Sequence, residues 1–167
     1  MSRSRNIPGP RMGLGVRGYR IAVAVLALAL IALLAKVVVS GTTAPGPDGR
    51  TQVQLDAAEH SLVLAEMRGF VAGLAHIDTA LGAGRRDEAA RASRALGMAA
   101  THDAPVALLA RLPLPFKTLA FGTHRGFDAL ADDIDHGAPV TAILARRGEL
   151  LGQCVACHAD YALGGVR

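Results

Sequence analysis

The sequence contains no tryptophan, and aromatic residues make up only 4% of its 167 residues. This low aromatic content argues against an aromatic-rich β-sandwich. Charged residues account for 19% and hydrophobic residues for 51%, which argues against a highly charged disordered chain. Only two cysteines are present, too few for a fold held together by disulfides. What remains is an apolar chain of one-domain size whose two cysteines need a different role.

Positive charge is concentrated at the N-terminus. The first 40 residues contain no Asp or Glu and six of the eighteen Lys and Arg residues, so the rest of the chain carries twelve cations against fourteen anions. A slightly acidic domain without a basic, aromatic-rich patch argues against nucleic-acid binding. The N-terminal cations are instead interpreted as a membrane-topology signal, formed by Arg3, Arg5, Arg11, Arg17 and Arg20, with Lys36 further along.

The segment Ile21–Val39 is apolar except for Lys36. A membrane-spanning helix needs about 20 mostly apolar residues, and a lysine near its end can extend to the headgroups. The basic residues 1–20 are then expected in the cytoplasm, and the domain that follows in a bacterial periplasm or an equivalent space. A cleaved signal peptide is the alternative, with its nearest cleavage site at Ser40. Both interpretations predict export.

Residues 41–50 are predicted to form a linker without helix or strand, because three glycines and two prolines interrupt them. The folded domain is expected to span 51–167. Apolar residues recur there at helical spacing, and no segment alternates like a strand. An antiparallel four-helix bundle is therefore predicted. Its helices are placed at 51–81, 87–100, 117–136 and 139–163, with a short helix at 106–111.

Both cysteines lie in the run CVACH, in which Cys154 and Cys157 are followed directly by His158. On a helix these residues stand at positions i, i+3 and i+4 and share one face. Two thiols at this spacing can form thioethers with the two vinyl groups of haem, and the adjacent imidazole can bind the iron. The pattern therefore predicts one covalently attached c-type haem. Leu144, Leu151 and Tyr161 extend the same face, which predicts a haem inside the bundle.

A disulfide, a redox pair and a zinc site are weaker interpretations of the two cysteines. A disulfide between Cys154 and Cys157 would close a very small loop and stabilise little. A thioredoxin-like redox pair is expected in a βαβ unit, and no strands are predicted. A zinc site would need a second pair of ligands at suitable spacing.

The motif lies near the end of the fourth predicted helix. In this respect the chain resembles the cytochrome c-prime family, and the resemblance covers residues 51–163. In that family the motif is often followed by Tyr-Arg; here Tyr161 matches and Ala162 departs from the pattern. The resemblance implies a four-helix bundle with His158 as the proximal iron ligand. It also implies that a residue of the first helix faces the other side of the iron. A methionine there binds the metal, whereas other residues only block the site.

Met67 is the predicted distal ligand. It lies on the predicted interior face of the first helix, together with Val63 and Phe70. Only Met67 and Met98 follow the membrane segment, and Met98 stands beside Gly97 at the end of the second helix. A methionine on such a face often only packs. A methionine ligand would raise the reduction potential and suit electron transfer.

Several further polar residues have alternative interpretations. His60, two helical turns before Met67, is an alternative distal ligand. His124 is expected at a solvated helix cap, with a haem propionate as a second possibility. Arg146 and Arg147 face a possible propionate site, although a solvated cationic surface is the default for such charges. The carboxylates form no pair that indicates acid–base catalysis.

The sequence therefore predicts a one-electron carrier rather than an enzyme, tethered to the inner membrane with its haem domain in the periplasm. Its redox partners are proteins of unknown identity, and a homodimer is possible by resemblance. If Met67 only packs, the alternative is a five-coordinate haem protein that binds nitric oxide or carbon monoxide. Weak peroxidase activity would need an open iron and a distal acid–base group, for which His60 is the candidate.

Overall fold

The protein is described by a computed structural model that places residues 15–165. Most of the predicted basic tail, with Arg3, Arg5 and Arg11, lies outside these residues, as do residues 166–167 of the C-terminal domain. The chain divides between Ala35 and Lys36 into two compact units.

The first helix, α1, runs over Val16–Ser40 and contains the predicted apolar segment. Its most apolar window has a mean hydropathy of 2.9, and none of that window is buried. At 1.5 Å per residue the helix is about 37 Å long, enough to cross a bilayer. A membrane anchor and a signal sequence share these properties, so the helix suits both interpretations.

The predicted linker contains the first strand and the turn of a β-hairpin. Strand β1, Thr43–Pro45, pairs antiparallel with β2, Thr51–Gln54. The turn is closed by the Gly46 N–H, which donates to the Arg50 carbonyl over 2.8 Å, and Gly49 takes a φ of +85° within it. The expectation that this segment forms no strand is therefore wrong. A three-residue strand is too short to show alternation, and its glycines serve the turn.

A third strand, β3, runs over Tyr161–Gly164 and pairs parallel with β2. Val53 of β2 is fully buried, which fixes the register of the small sheet. The last helix, α6, therefore runs over Val140–Asp160 and ends before the predicted Leu163. The sheet, in the order β1-β2-β3, joins the beginning of the domain to the chain that follows the CVACH motif.

Gly41 connects α1 to the hairpin with a φ of +57°. A Cβ atom added there would overlap the carbonyl oxygen of Arg111. The same oxygen accepts a hydrogen bond from the Thr42 N–H over 2.7 Å. Glycine is required here both by its left-handed conformation and by the close approach of the two backbone segments.

The second helix, α2, runs over Ala57–Gly82 and begins later than predicted. Asp56 and Glu59 form a capping box, in which each side chain accepts a hydrogen bond from the backbone N–H of its partner. The cap explains the start, since residues 51–54 are used in β2. The remaining helices are α3 at Arg86–Arg94, a 3-10 turn at Met98–Thr101, α4 at Val106–Arg111 and α5 at Leu114–Asp135.

The described residues are mostly helical, with six α-helices and three short strands. This confirms the predicted helical class and N-terminal apolar helix, and corrects the prediction that no strand is present. Within the domain α2 packs on α3, α3 on α5, and α5 on α6. The four-helix bundle itself remains a prediction.

Two apolar clusters fill the domain. One contains Phe127, Leu130 and Ile134 of α5, which are essentially inaccessible to solvent, together with Ile77 of α2 and Leu150 of α6. The second cluster joins the small sheet to the helices and includes Val53, Leu55, Val63, Leu108, Leu112 and Phe116. Met67, Cys157 and Tyr161 pack against this second cluster, so the residues of greatest chemical interest lie beside it.

Candidate functional site

The two cysteines and His158 lie in the last two turns of α6. Both thiols are free and partly buried, whereas His158 is exposed. Burial raises the pKa of both thiols. Cys157 packs toward the second cluster, and the Cys154 thiol is 3.8 Å from the carbonyl oxygen of Leu150. The motif thus presents two protonated thiols and an accessible imidazole.

All three motif residues line one cavity of about 580 Å³. This volume is within the range of about 300–1,000 Å³ found for sites of drug-sized ligands and cofactors. Met67 and His60 of α2 line the same cavity. The structure therefore brings together the four residues predicted to hold a haem, together with the alternative distal ligand His60.

The walls of this cavity are largely apolar. Phe116 and Tyr161 meet edge to face, with ring centroids 5.2 Å apart. Burial raises the pKa of the Tyr161 hydroxyl. Further apolar side chains in the lining include Val63, Phe70, Leu108, Leu112 and Leu163. An apolar wall of this kind suits a flat, hydrophobic ring system.

The buried face of α6 is rotated slightly from the interior face that the sequence predicts. Leu144, expected on that face, is 53% exposed, whereas Ile143 and Leu150 are buried. Cys154 and Leu151 remain partly buried, as expected. The face that packs on α5 therefore lies beside the face that carries the motif, and His158 is exposed where it lines the cavity.

His124 is buried in the cavity wall rather than solvated at a helix cap. Only 4% of it is exposed. Its Nδ1 lies 2.7 Å from the Leu96 carbonyl oxygen and its Nε2 lies 3.2 Å from a carboxylate oxygen of Glu66. Both neighbours are acceptors, so both ring nitrogens act as donors in the protonated imidazolium. Burial opposes this charge, but the hydrogen bonds to Glu66 and Leu96 outweigh it and raise the pKa of His124.

We expect His124 to make the protein more stable in mild acid than in mild alkali. Because the pKa of His124 is higher in the folded than in the unfolded state, its contribution is fully present below about pH 6.5 and is lost as the pH rises through the folded value. Urea unfolding at several pH values measures this loss. Glu66→Gln should weaken the pH dependence, since the amide carries no charge. An identical pH dependence in both proteins would contradict the assignment.

The two arginines considered for a propionate site are engaged elsewhere. Arg146 forms ion pairs with Asp133 at 2.8 Å and Glu149 at 3.4 Å. Arg147 binds Asp78 of α2 at 2.5 Å. Neither arginine lines the cavity, so their side chains do not contribute to the site.

Arg50 is a residue of the site that the sequence did not reveal. Its guanidinium lines the cavity and donates hydrogen bonds to the carbonyls of His158 and Tyr161, at 3.2 and 3.3 Å. No sequence signal predicts these contacts, because more than a hundred residues separate the partners. They depend on the pairing of β2 with β3.

Comparison with protein-family models, curated proteins and solved structures found no match to this chain. Among residues 15–165, no three His, Cys, Asp or Glu side chains are grouped so as to hold a metal ion by themselves. The features that bear on function are therefore the cavity and the residues that line it.

Proposed function

We propose that the protein is a c-type cytochrome that carries one covalently bound haem and transfers single electrons. One observation carries the proposal: Cys154, Cys157 and His158 line the same large apolar cavity as Met67 of another helix. A disulfide or a thioredoxin-like pair would not account for this cavity. Nor would either account for the convergence of imidazole and thioether on it.

The residues of the cavity fit this group chemically. Each cysteine thiol would add across one vinyl group, so that a carbon–sulfur bond forms and the thiol hydrogen goes to the vinyl carbon that sulfur does not bond. His158 would bind the iron from the proximal side and Met67 from the distal side. These two ligands are typical of cytochromes c, in which methionine raises the reduction potential.

Bound haem would supply a couple between Fe(III) and Fe(II) that takes up and releases one electron. The protein's own contribution is the environment. Phe70, Phe116 and Leu112 limit the access of water, which disfavours the more highly charged oxidised state. This function requires no acid–base residue, and the proposal is accordingly a carrier rather than an enzyme.

The proposed architecture is the antiparallel four-helix bundle of the cytochrome c-prime family, formed by α2, α3, α5 and α6. We place the domain in the periplasm of a bacterium, with α1 as an anchor in the inner membrane. Cleavage near Ser40 would instead give a soluble periplasmic protein. An anchor would keep the haem near membrane redox proteins and raise its effective concentration there. A homodimer would also be compatible with the resemblance.

A second function is favoured by the packing of Met67. Its side chain contacts the apolar cluster around Val63 and Leu108, as a purely structural methionine would. If Met67 does not bind iron, the haem would be five-coordinate and would bind nitric oxide or carbon monoxide on its open face. His60 in the cavity would then be the candidate acid–base group for weak peroxidase activity.

The absorption spectrum of the purified protein in both oxidation states tests these alternatives. We expect a low-spin ferric spectrum with a methionine-to-iron charge-transfer band. A high-spin ferric spectrum and ready binding of carbon monoxide by the reduced protein would favour the second function. A protein expressed under conditions that support haem attachment, yet without haem absorption, would refute both.

A further inference from the structure

The last turn of α6 is held by a side chain from the beginning of the domain. Arg50, at the end of the β1–β2 turn, reaches the carbonyl of His158 through one guanidinium nitrogen, over 3.2 Å. The same nitrogen donates to the carbonyl of Tyr161 over 3.3 Å. His158 is the proposed iron ligand, so Arg50 contacts the backbone of the residue on which iron binding would depend.

Carbonyl groups in the last turn of a helix lack partners within that helix. They also carry the negative end of the helix dipole, which a cation stabilises. The Cys157 carbonyl accepts a hydrogen bond from the backbone N–H of Tyr161, whereas the His158 carbonyl accepts one from Arg50. Arg50 supplies both the missing donor and the favourable charge. The pairing of β2 with β3 keeps it in place, since Thr51 is opposite Tyr161 in the register.

The guanidinium also places a positive charge at the cavity wall, next to His158, the proposed proximal ligand. It lines the cavity together with His158 and Tyr161. Asp48 binds its outer edge at 2.6 Å, which fixes the orientation of the group. The Arg50 side chain is 37% exposed, so water and salt screen its charge in part.

We propose that Arg50 is a positioning residue for the haem iron, which holds His158 through its carbonyl and raises the reduction potential through its charge at the cavity wall. The oxidised iron carries one more positive charge than the reduced iron. A fixed cation nearby therefore destabilises the oxidised state more than the reduced state. This inference rests on the proposed haem function and adds to it a residue outside the CVACH motif.

The test is the reduction potential of the haem-loaded full-length protein. Arg50→Gln removes the charge and shortens the side chain, so we expect a lower potential and an increased high-spin fraction in the ferric spectrum. Arg50→Lys keeps the charge, so we expect it to recover most of the potential. The difference between wild type and Arg50→Gln should shrink as ionic strength rises. A side chain that acted only on folding would change stability but not the potential.

Arg94→Gln is the matched control. Arg94 binds Asp132 and Asp135 at 2.8 and 2.9 Å and does not line the cavity. The substitution makes the same change in net charge and also breaks surface ion pairs, but its potential should equal that of wild type. Equal shifts in Arg50→Gln and Arg94→Gln would overturn the proposal, as would an Arg50→Lys potential as low as that of Arg50→Gln.

Asp48→Asn keeps the proposal testable if Arg50→Gln fails to fold. This variant removes an anion beside the guanidinium, while the amide oxygen of asparagine can still accept a hydrogen bond from Arg50, so the potential should rise. An unchanged or lower potential would overturn the proposal. The wild-type spectrum separates the two levels of inference. If wild type contains covalent haem and these variants have no effect on its potential, only the role of Arg50 is refuted. If wild type contains no covalent haem, the proposed function is refuted as well.

Discussion

Replacing Cys154 and Cys157 together by alanine is expected to leave a protein whose proposed haem can be removed by acid acetone. Wild type should keep all of its haem under the same treatment, because two thioether bonds would join the proposed haem to α6. Each single substitution should retain one bond and therefore most of the covalent haem. The measurement is haem absorbance in the protein precipitate and in the supernatant after extraction.

The structure allows this loss of haem to be separated from a loss of fold. Both thiols are only partly buried, and neither belongs to the central cluster around Phe127 and Leu130. Truncation should therefore have a smaller effect on stability than a fully buried truncation, which costs about 2–5 kcal/mol. Far-ultraviolet circular dichroism should show retained helix. Haem that resists extraction from the double variant would mean that the thiols do not hold it.

Met67→Leu is expected to produce the second large effect. Leucine has nearly the same volume and should preserve the contacts with the cluster around Val63 and Leu108, but it has no sulfur to bind iron. The charge-transfer band of the ferric protein should disappear completely, and the ferric haem should become high-spin. The reduction potential should fall, because methionine ligation raises it. The reduced variant should bind carbon monoxide rapidly.

Met98→Leu is the control for this substitution. Met98 lies in the 3-10 turn and does not line the cavity. Its contact with the Asp128 carboxylate is made by the backbone N–H and survives a change of side chain. The spectrum and potential should match wild type. A charge-transfer band that persists in Met67→Leu would exclude Met67 as the distal ligand.

The part of the fold that follows from the sequence is the part governed by local patterns. The helical period places Phe127, Leu130 and Ile134 on one face of α5, and all three are buried. The apolar segment is helical, as its composition predicts. The motif residues share one face of α6 because they are three and four positions apart. Each of these inferences needs only residues close together in the chain.

The hairpin and the parallel pairing with β3 depend on distant residues. Pro45 and Gly46 indicate irregular structure when read locally, and short strands gain their stability only from a partner. His124 likewise resembles a solvated helical residue until Glu66 and Leu96 are brought to its ring. The role proposed for Arg50 likewise cannot be predicted from the sequence, because its partners are distant along the chain. Local patterns in the sequence therefore identify the residues of the proposed haem site, but not the residues that support them.

For a chain exported as proposed, the pairing of β2 with β3 implies an order of events. Behind an anchor whose N-terminus stays in the cytoplasm, the hairpin would cross the membrane well before the CVACH motif. Arg50 and Tyr161 are 111 positions apart, so the contact between them closes one of the longest loops in the domain. The thiols could therefore react with the vinyl groups of the proposed haem while this end of the domain is still open. Pairing of β3 with β2 would then close it, so that covalent attachment would precede completion of the fold.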